Sequence, residues 1–231
     1  MNKSEKLGVQ GKTDVPSRLF DLVPRFIEKY GYKDCLFAGK VDRQWVKYNG
    51  QKFYEMTNSI SHGLLKLGVK KGDRIALIAT NCPEWNMIDL AIQQVGAICI
   101  PIYPTISHAD YEYIFNHSEA SIVFVINKHL YNKVSDIITS VPSIKDTYLI
   151  RASEGLKSLQ ELIELGNENR DEAALEARKA EVKNEDVATI IYTSGTMGTP
   201  KGVMLTHRNI LSVVEYLCPL YPIDETHNAI S

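Results

Sequence analysis

The sequence predicts an α/β fold, a mostly parallel sheet flanked by helices, and three observations carry that expectation. Residues 74–79 (RIALIA) and 122–126 (IVFVI) are short runs, apolar almost throughout, the pattern of strands covered on both faces. Such runs alternate with helical stretches of roughly 10–15 residues, and that rhythm implies βαβ units. Finally, 231 residues at 44% hydrophobic and 23% charged are an ordinary globular balance, long enough to bury a core without disulfide staples.

Taken in order, residues 14–30 predict a first helix, with Leu19, Leu22, Phe26 and Tyr30 at helical spacing, Gly31 as a stop and a kink or break at Pro24. Residues 35–38 and 45–48 read as a hairpin. Phe53, Met56, Ile60, Leu64 and Leu67 form an amphipathic stripe that ends at Gly68. After the turn at 71–73, strand 74–79 opens the alternation. Helix 84–95 follows, then strand 97–100 stopped by Pro101 and Pro104, helix 107–117, strand 122–126, helix 128–139, strand 147–150 and a short helix over 156–165. Residues 167–186 hold seven acidic and four basic side chains with few large apolar groups, which predicts an exposed helix plus linker. Strand 188–192, a polar loop and the apolar run 203–205 follow, and Thr206 is placed to cap a last helix from His207. The expected division is 1–165, an N-terminal α/β subdomain; 166–187, a charged helix or linker; and 188–231, the start of a second subdomain.

Composition also excludes. Lys and Arg number 26 against 28 Asp and Glu, a net −2, without the basic surplus of a nucleic-acid protein. No apolar run approaches the roughly 18 residues of a membrane span, and the polar first 14 residues do not read as a secretory signal. Cys35, Cys82, Cys99 and Cys218 form no CxxC pair. They read as reduced thiols of a cytoplasmic protein, Cys35 and Cys99 as small buried hydrophobes. No two histidines have zinc spacing. Trp85, Ile88 and Ala91 fit the lining of an acyl tunnel or, as the preferred reading, a buried helix face, and Glu84 and Asp89 form no obvious acid–base pair.

The chemistry concentrates in residues 192–202, YTSGTMGTPKG. Glycines at 195, 198 and 202 allow positive φ and close backbone approach, and successive N–H groups in such turns form an anion-binding nest. Thr193, Ser194 and Thr196 add hydroxyl donors. Lys201 brings a positive charge suited to a phosphate oxygen. Pro200 precedes Lys201 and Gly202 follows it, so this is not a Walker A loop, and the apolar run beyond indicates a strand–loop–strand hairpin. No G-x-G-x-x-G is present. His207, beside the motif, reads as a packing or capping residue. Tyr192 fits equally a contact to a nucleotide or a core tyrosine with its hydroxyl satisfied.

The stretch 192–202 resembles the phosphate-binding signature of the adenylate-forming superfamily, [Tyr/Phe]-Thr-Ser-Gly-[Ser/Thr]-Thr-Gly-x-Pro-Lys-Gly. The match departs only at Met197, where the family usually has Thr and where the backbone N–H could still serve. Residues 67–76 (LGVKKGDRIA), 81–85 (NCPEW), 96–105 (GAICIPIYPT) and 204–209 (MLTHRN) follow in family order and are most like the long-chain fatty acid CoA ligases.

The resemblance implies an ATP-dependent ligase. In the family a carboxylate attacks the α-phosphate of Mg2+·ATP to give an acyl-adenylate and pyrophosphate, and coenzyme A then displaces AMP. Thr193, Ser194, Gly195, Thr196, Met197, Gly198 and Lys201 are the implied ATP-binding residues. The partners implied are small molecules (fatty acid, ATP and coenzyme A), with no nucleic acid, no transmembrane segment and a possible peripheral membrane contact. The family's later Tyr-Gly-x-Thr-Glu motif, ribose-binding Asp and C-terminal lysine domain do not occur, so the resemblance implies a truncated N-terminal piece with no catalytic or metal-binding residue of its own and little activity alone. Two alternatives stay open: a fragment of an amino-acid or aryl-acid adenylating enzyme, and a stand-alone nucleotide-binding or interaction module.

Overall fold

The computed structural model describes residues 15–41, 43–193 and 199–221. Eight α-helices and eight strands occur among them. A six-stranded sheet runs in the order β6-β5-β3-β4-β7-β8, and a separate two-stranded sheet pairs β1 with β2. β3 (Arg74–Ile78), β4 (Ile98–Ile102), β5 (Ile122–Val125), β6 (Asp146–Leu149) and β7 (Val187–Thr193) are parallel, while β8 (Lys201–Thr206) returns antiparallel to β7 at the sheet edge.

The sheet is covered on both faces, which is why its central strands carry no polar alternation. Ile75, Leu77, Ile122 and Phe124 point into one core with α2 (Gly50–Lys66), α3 (Pro83–Gln94) and α6 (Leu159–Glu168). Ala76, Ile78, Val123 and Val125 point into the other with α4 (His108–Ser118) and α5 (Lys128–Ser140). The chain crosses from β3 to β4 through α3 on one face and from β4 to β5 through α4 on the other, the doubly wound arrangement. Six helices start on a capping side chain: Asn49, Ser107, Asn127, Ser158, Asp171 and Thr206 each accept a backbone N–H three residues on. α2 and α6 cross closely enough that a Cβ at Gly166 would lie 1.8 Å from the Ser59 carbonyl oxygen.

Three expectations need correction. The first helix does not run from residue 14 with a kink at Pro24. A 3-10 turn at Leu19–Asp21 leads into α1 (Leu22–Tyr30), and Pro24 falls in its first turn, where a missing N–H costs nothing. Pro101 does not end its strand. Ile98 donates to Asp73 on the β3 side, so alternation turns Pro101 toward β7, where the registered pairing is Cys99 with Thr189, and the β3 ladder runs on to Ile102. Cys99 is fully buried, but Cys35 is exposed.

The charged stretch contains α7 (Glu172–Glu181). Most of its side chains are solvated, yet Leu175 is fully buried and Lys179 nearly so, and the Arg178 guanidinium donates to the Val95 carbonyl at 3.3 Å. The strands before and after this helix belong to the same sheet.

Candidate functional site

β7 and β8 build the hairpin that carries the predicted phosphate loop. Their register pairs Val187 with Thr206 at one end and Thr193 with Lys201 at the other, with a bulge between Val187 and Thr189. Directly opposed residues of an antiparallel pair project to the same face, so Thr193 and Lys201 stand side by side at the hairpin mouth. Both are exposed, and Lys201 makes no ion pair among the described residues. Of the residues expected to bind ATP, Thr193 and Lys201 are therefore brought together. Ser194, Gly195, Thr196, Met197 and Gly198 lie outside the described residues.

Gly202 has a different role from the one its composition suggested. It is a strand residue opposite Tyr192 and not one of the positive-φ glycines. A Cβ there would meet Ile190 Cγ2 at 2.9 Å and the Tyr192 ring at 3.3 Å, so glycine makes room for the tyrosine. The Tyr192 hydroxyl lies 2.7 Å from His117 Nδ1 at the end of α4, and its ring meets Tyr113 and His117 edge-on. The hydroxyl is thus satisfied within the protein, while the ring itself is only half-buried. Beside it a cavity of about 370 Å³ is lined by Arg74, Glu119, Ile190 and Met204, among others. Arg74 is already committed there, to the Ser118 carbonyl at 2.8 Å and the Glu119 carboxylate at 2.8 Å. His117 escaped the sequence reading because it lies 75 residues from Tyr192 and no local pattern links the two.

The far end of the hairpin is anchored firmly. Thr206 caps α8 (His207–Leu217) in a capping box with Asn209. His207, as expected, packs: it is 1% exposed, its Nδ1 accepts the Leu19 N–H at 3.2 Å, and Phe20 meets it edge-on. Burial pushes its pKa down to about 4, although the charge of Asp186 opposes that shift. The His207 N–H donates to the Asp186 carbonyl, and Lys71 pairs with the Asp186 carboxylate at 2.6 Å.

Glu84 and Asp89 are indeed not a pair. Glu84 accepts from the Tyr48 hydroxyl at 2.9 Å and forms an ion pair with Arg151 at 2.8 Å. Burial disfavours its ionisation, but the bonds from Arg151, the backbone and Tyr48 outweigh it and hold its pKa below the usual value. Asp89 accepts from Gln93 at 2.8 Å, and burial raises its pKa to about 6. Ile88 and Ala91 are fully buried, and Trp85 is packed against the same core. No group of three or more His, Cys, Asp or Glu with metal-binding geometry occurs among the described residues.

A doubly wound sheet that ends in an antiparallel hairpin, with a glycine- and hydroxyl-rich loop closed by a threonine–lysine pair, defines a class: the adenylate-forming fold. Comparison with known proteins bears this out. The model of the family "AMP-binding enzyme" matches residues 24–229, and the chain belongs to that family of enzymes. It is 34% identical over 180 residues to the long-chain-fatty-acid–CoA ligase FadD15 of Mycobacterium bovis, covering 78% of this chain and 30% of that protein. It is 32% identical over 195 residues to fatty acyl-CoA synthetase A of Dictyostelium discoideum, covering 80% and 28%. Among solved structures it resembles a long-chain-fatty-acid-CoA ligase (FadD1) from Archaeoglobus fulgidus, with TM-score 0.70, 28% identity, and 86% and 38% coverage. The chain thus spans about 30% of the length of the curated relatives it matches.

Proposed function

We propose that this chain is the N-terminal part of an ATP-dependent long-chain fatty acid–CoA ligase, and that its β7–β8 loop holds the β- and γ-phosphates of ATP. The observation that carries the reading is the opposition of Thr193 and Lys201 at the mouth of the hairpin. It closes a loop of the composition a polyphosphate requires, in a chain whose similar proteins are named as fatty acyl-CoA ligases.

The chemistry follows. A fatty carboxylate attacks the α-phosphorus of Mg2+·ATP; its oxygen bonds to phosphorus and the bond to the β-phosphate oxygen breaks, releasing pyrophosphate. The thiolate of coenzyme A then adds to the acyl carbon, and AMP leaves with the electrons of the acyl–oxygen bond. Magnesium enters with ATP as its complex. Lys201, the hydroxyls of Thr193, Ser194 and Thr196, and the N–H groups of Gly195, Met197 and Gly198 orient the leaving pyrophosphate and offset its charge. The remaining groups come from outside these residues, so the chain alone makes no acyl-CoA, and its location is cytoplasmic.

Titration of the chain with pyrophosphate tests the loop. Saturable binding is expected, weakened roughly tenfold or more by Lys201→Ala, because a hydrogen bond to a charged group contributes about 1.5–3 kcal/mol. Equal affinity for both proteins removes Lys201 from the site. For substrate class, ATP–pyrophosphate exchange by a longer polypeptide bearing this segment should respond to long-chain fatty acids. A response to amino acids or aryl acids in their place assigns it to those adenylating enzymes.

A further inference from the structure

We infer that the outer face of the β1–β2 hairpin is a docking surface for an anionic lipid bilayer. β1 (Phe37–Val41) and β2 (Gln44–Tyr48) pair with Lys40 opposite Trp45 and Ala38 opposite Lys47. Alternation therefore sorts the hairpin into two faces. Phe37, Gly39, Val46 and Tyr48 face the protein: Phe37 stacks on Phe53 at 4.4 Å, Gly39 sits against the Pro83 ring, and Tyr48 bonds Glu84. That anchoring turns Ala38, Lys40, Trp45 and Lys47 outward. Trp45 is 61% exposed, with the Lys40 ammonium 5.1 Å from its ring centre. Arg43 adjoins them in the turn and is exposed. Lys40, Arg43 and Lys47 make no ion pair among the described residues.

Charge singles out the same region. Residues 25–52 hold seven basic and three acidic side chains, in a chain whose total is −2. A tryptophan flanked by lysines suits a bilayer interface: the indole seats among headgroups while the lysine stems lie along it and their ammonium groups meet anionic phosphates. A nucleic acid fits less well. A nucleic acid lacks the apolar interface that would seat the indole, and the test below separates the two occupants. This inference does not rest on the phosphate loop.

The test is flotation of the chain with phosphatidylcholine vesicles, with and without about one third phosphatidylserine, beside a duplex RNA arm. Each basic side chain near such a surface contributes roughly a fivefold gain in binding. Binding should therefore appear only with phosphatidylserine and fall roughly 25-fold in Lys40→Ala/Lys47→Ala. The chain has two tryptophans, so Trp85→Phe isolates Trp45, whose emission should shift to the blue and be quenched by brominated lipid. All substituted hairpin residues are exposed, and an unchanged far-ultraviolet spectrum verifies the fold. Equal binding to neutral vesicles, an unaltered Trp45 emission, or retention on RNA without retention on vesicles overturns the assignment.

Discussion

His207 is a buried base kept neutral, and it couples folding to pH. Its folded pKa of about 4 lies below the ordinary 6.5 because burial disfavours the charged ring, so unfolding takes up a proton between those values. The unfolded chain binds more protons in that window, and stability rises with pH through it. The contribution is intact above pH 6.5 and is lost as pH falls to 4, on the order of 3 kcal/mol for a shift of that size. His62, also pushed down by burial, acts in the same sense. Denaturation midpoints should therefore fall between pH 6.5 and 4, and His207→Gln, which keeps an acceptor for the Leu19 N–H, should flatten that slope; an equal slope in the variant contradicts the assignment. Glu84 acts at lower pH, since a carboxylate with a depressed pKa loses its contribution as pH falls through the folded value. Glu84→Ala leaves Arg151 and Tyr48 without this partner and should cost about 3 kcal/mol, the low end for a broken buried pair because Arg151 is partly exposed. Chemical denaturation measures it, and Glu84→Gln, which still accepts from Tyr48, should cost less. Neither partnership was legible in the sequence, because their members lie 67 and 188 residues apart.

At the scale of elements, periodicity exposed nearly every strand and helix, since a buried face imposes its spacing on the residues that fill it. What it missed depends on neighbours. Pro101 looked like a stop because a proline lacks a donor, but a strand pairs on two sides and only one needed that donor. Leu175 was hidden in a charged stretch whose average composition masks a single buried side chain. Close helix contact is likewise invisible in a lone glycine, and it yields a sharp prediction. Gly166→Ala places a methyl group against the Ser59 carbonyl. The helices must separate, at a cost of roughly 1–3 kcal/mol as in overpacked cores, although alanine raises helix propensity. A rise in thermal midpoint would show that α2 and α6 are not in such contact.

For the molecule as a whole, the motif at 192–202 revealed the family, because a phosphate loop needs glycines, hydroxyls and a lysine in a fixed order, while the apolar runs and their alternation with helices revealed the parallel sheet. The sequence placed Thr193 and Lys201 in the loop between two apolar strands; that both are strand residues facing each other follows from the register alone. It did not reveal that Gly202 serves Tyr192, since the ring that fills its space is brought there by register. The chain's coverage of about 30% of its curated relatives bears on activity: assayed with a long-chain fatty acid, ATP and coenzyme A, it should form no acyl-CoA, and measurable turnover would contradict the proposed division of labour. The most direct test compares ATP with AMP on this chain and on Lys201→Ala. If the hairpin mouth grips the β- and γ-phosphates, the substitution weakens ATP binding roughly tenfold or more and leaves AMP binding unchanged. Equal loss for both nucleotides, or no loss for ATP, contradicts the account.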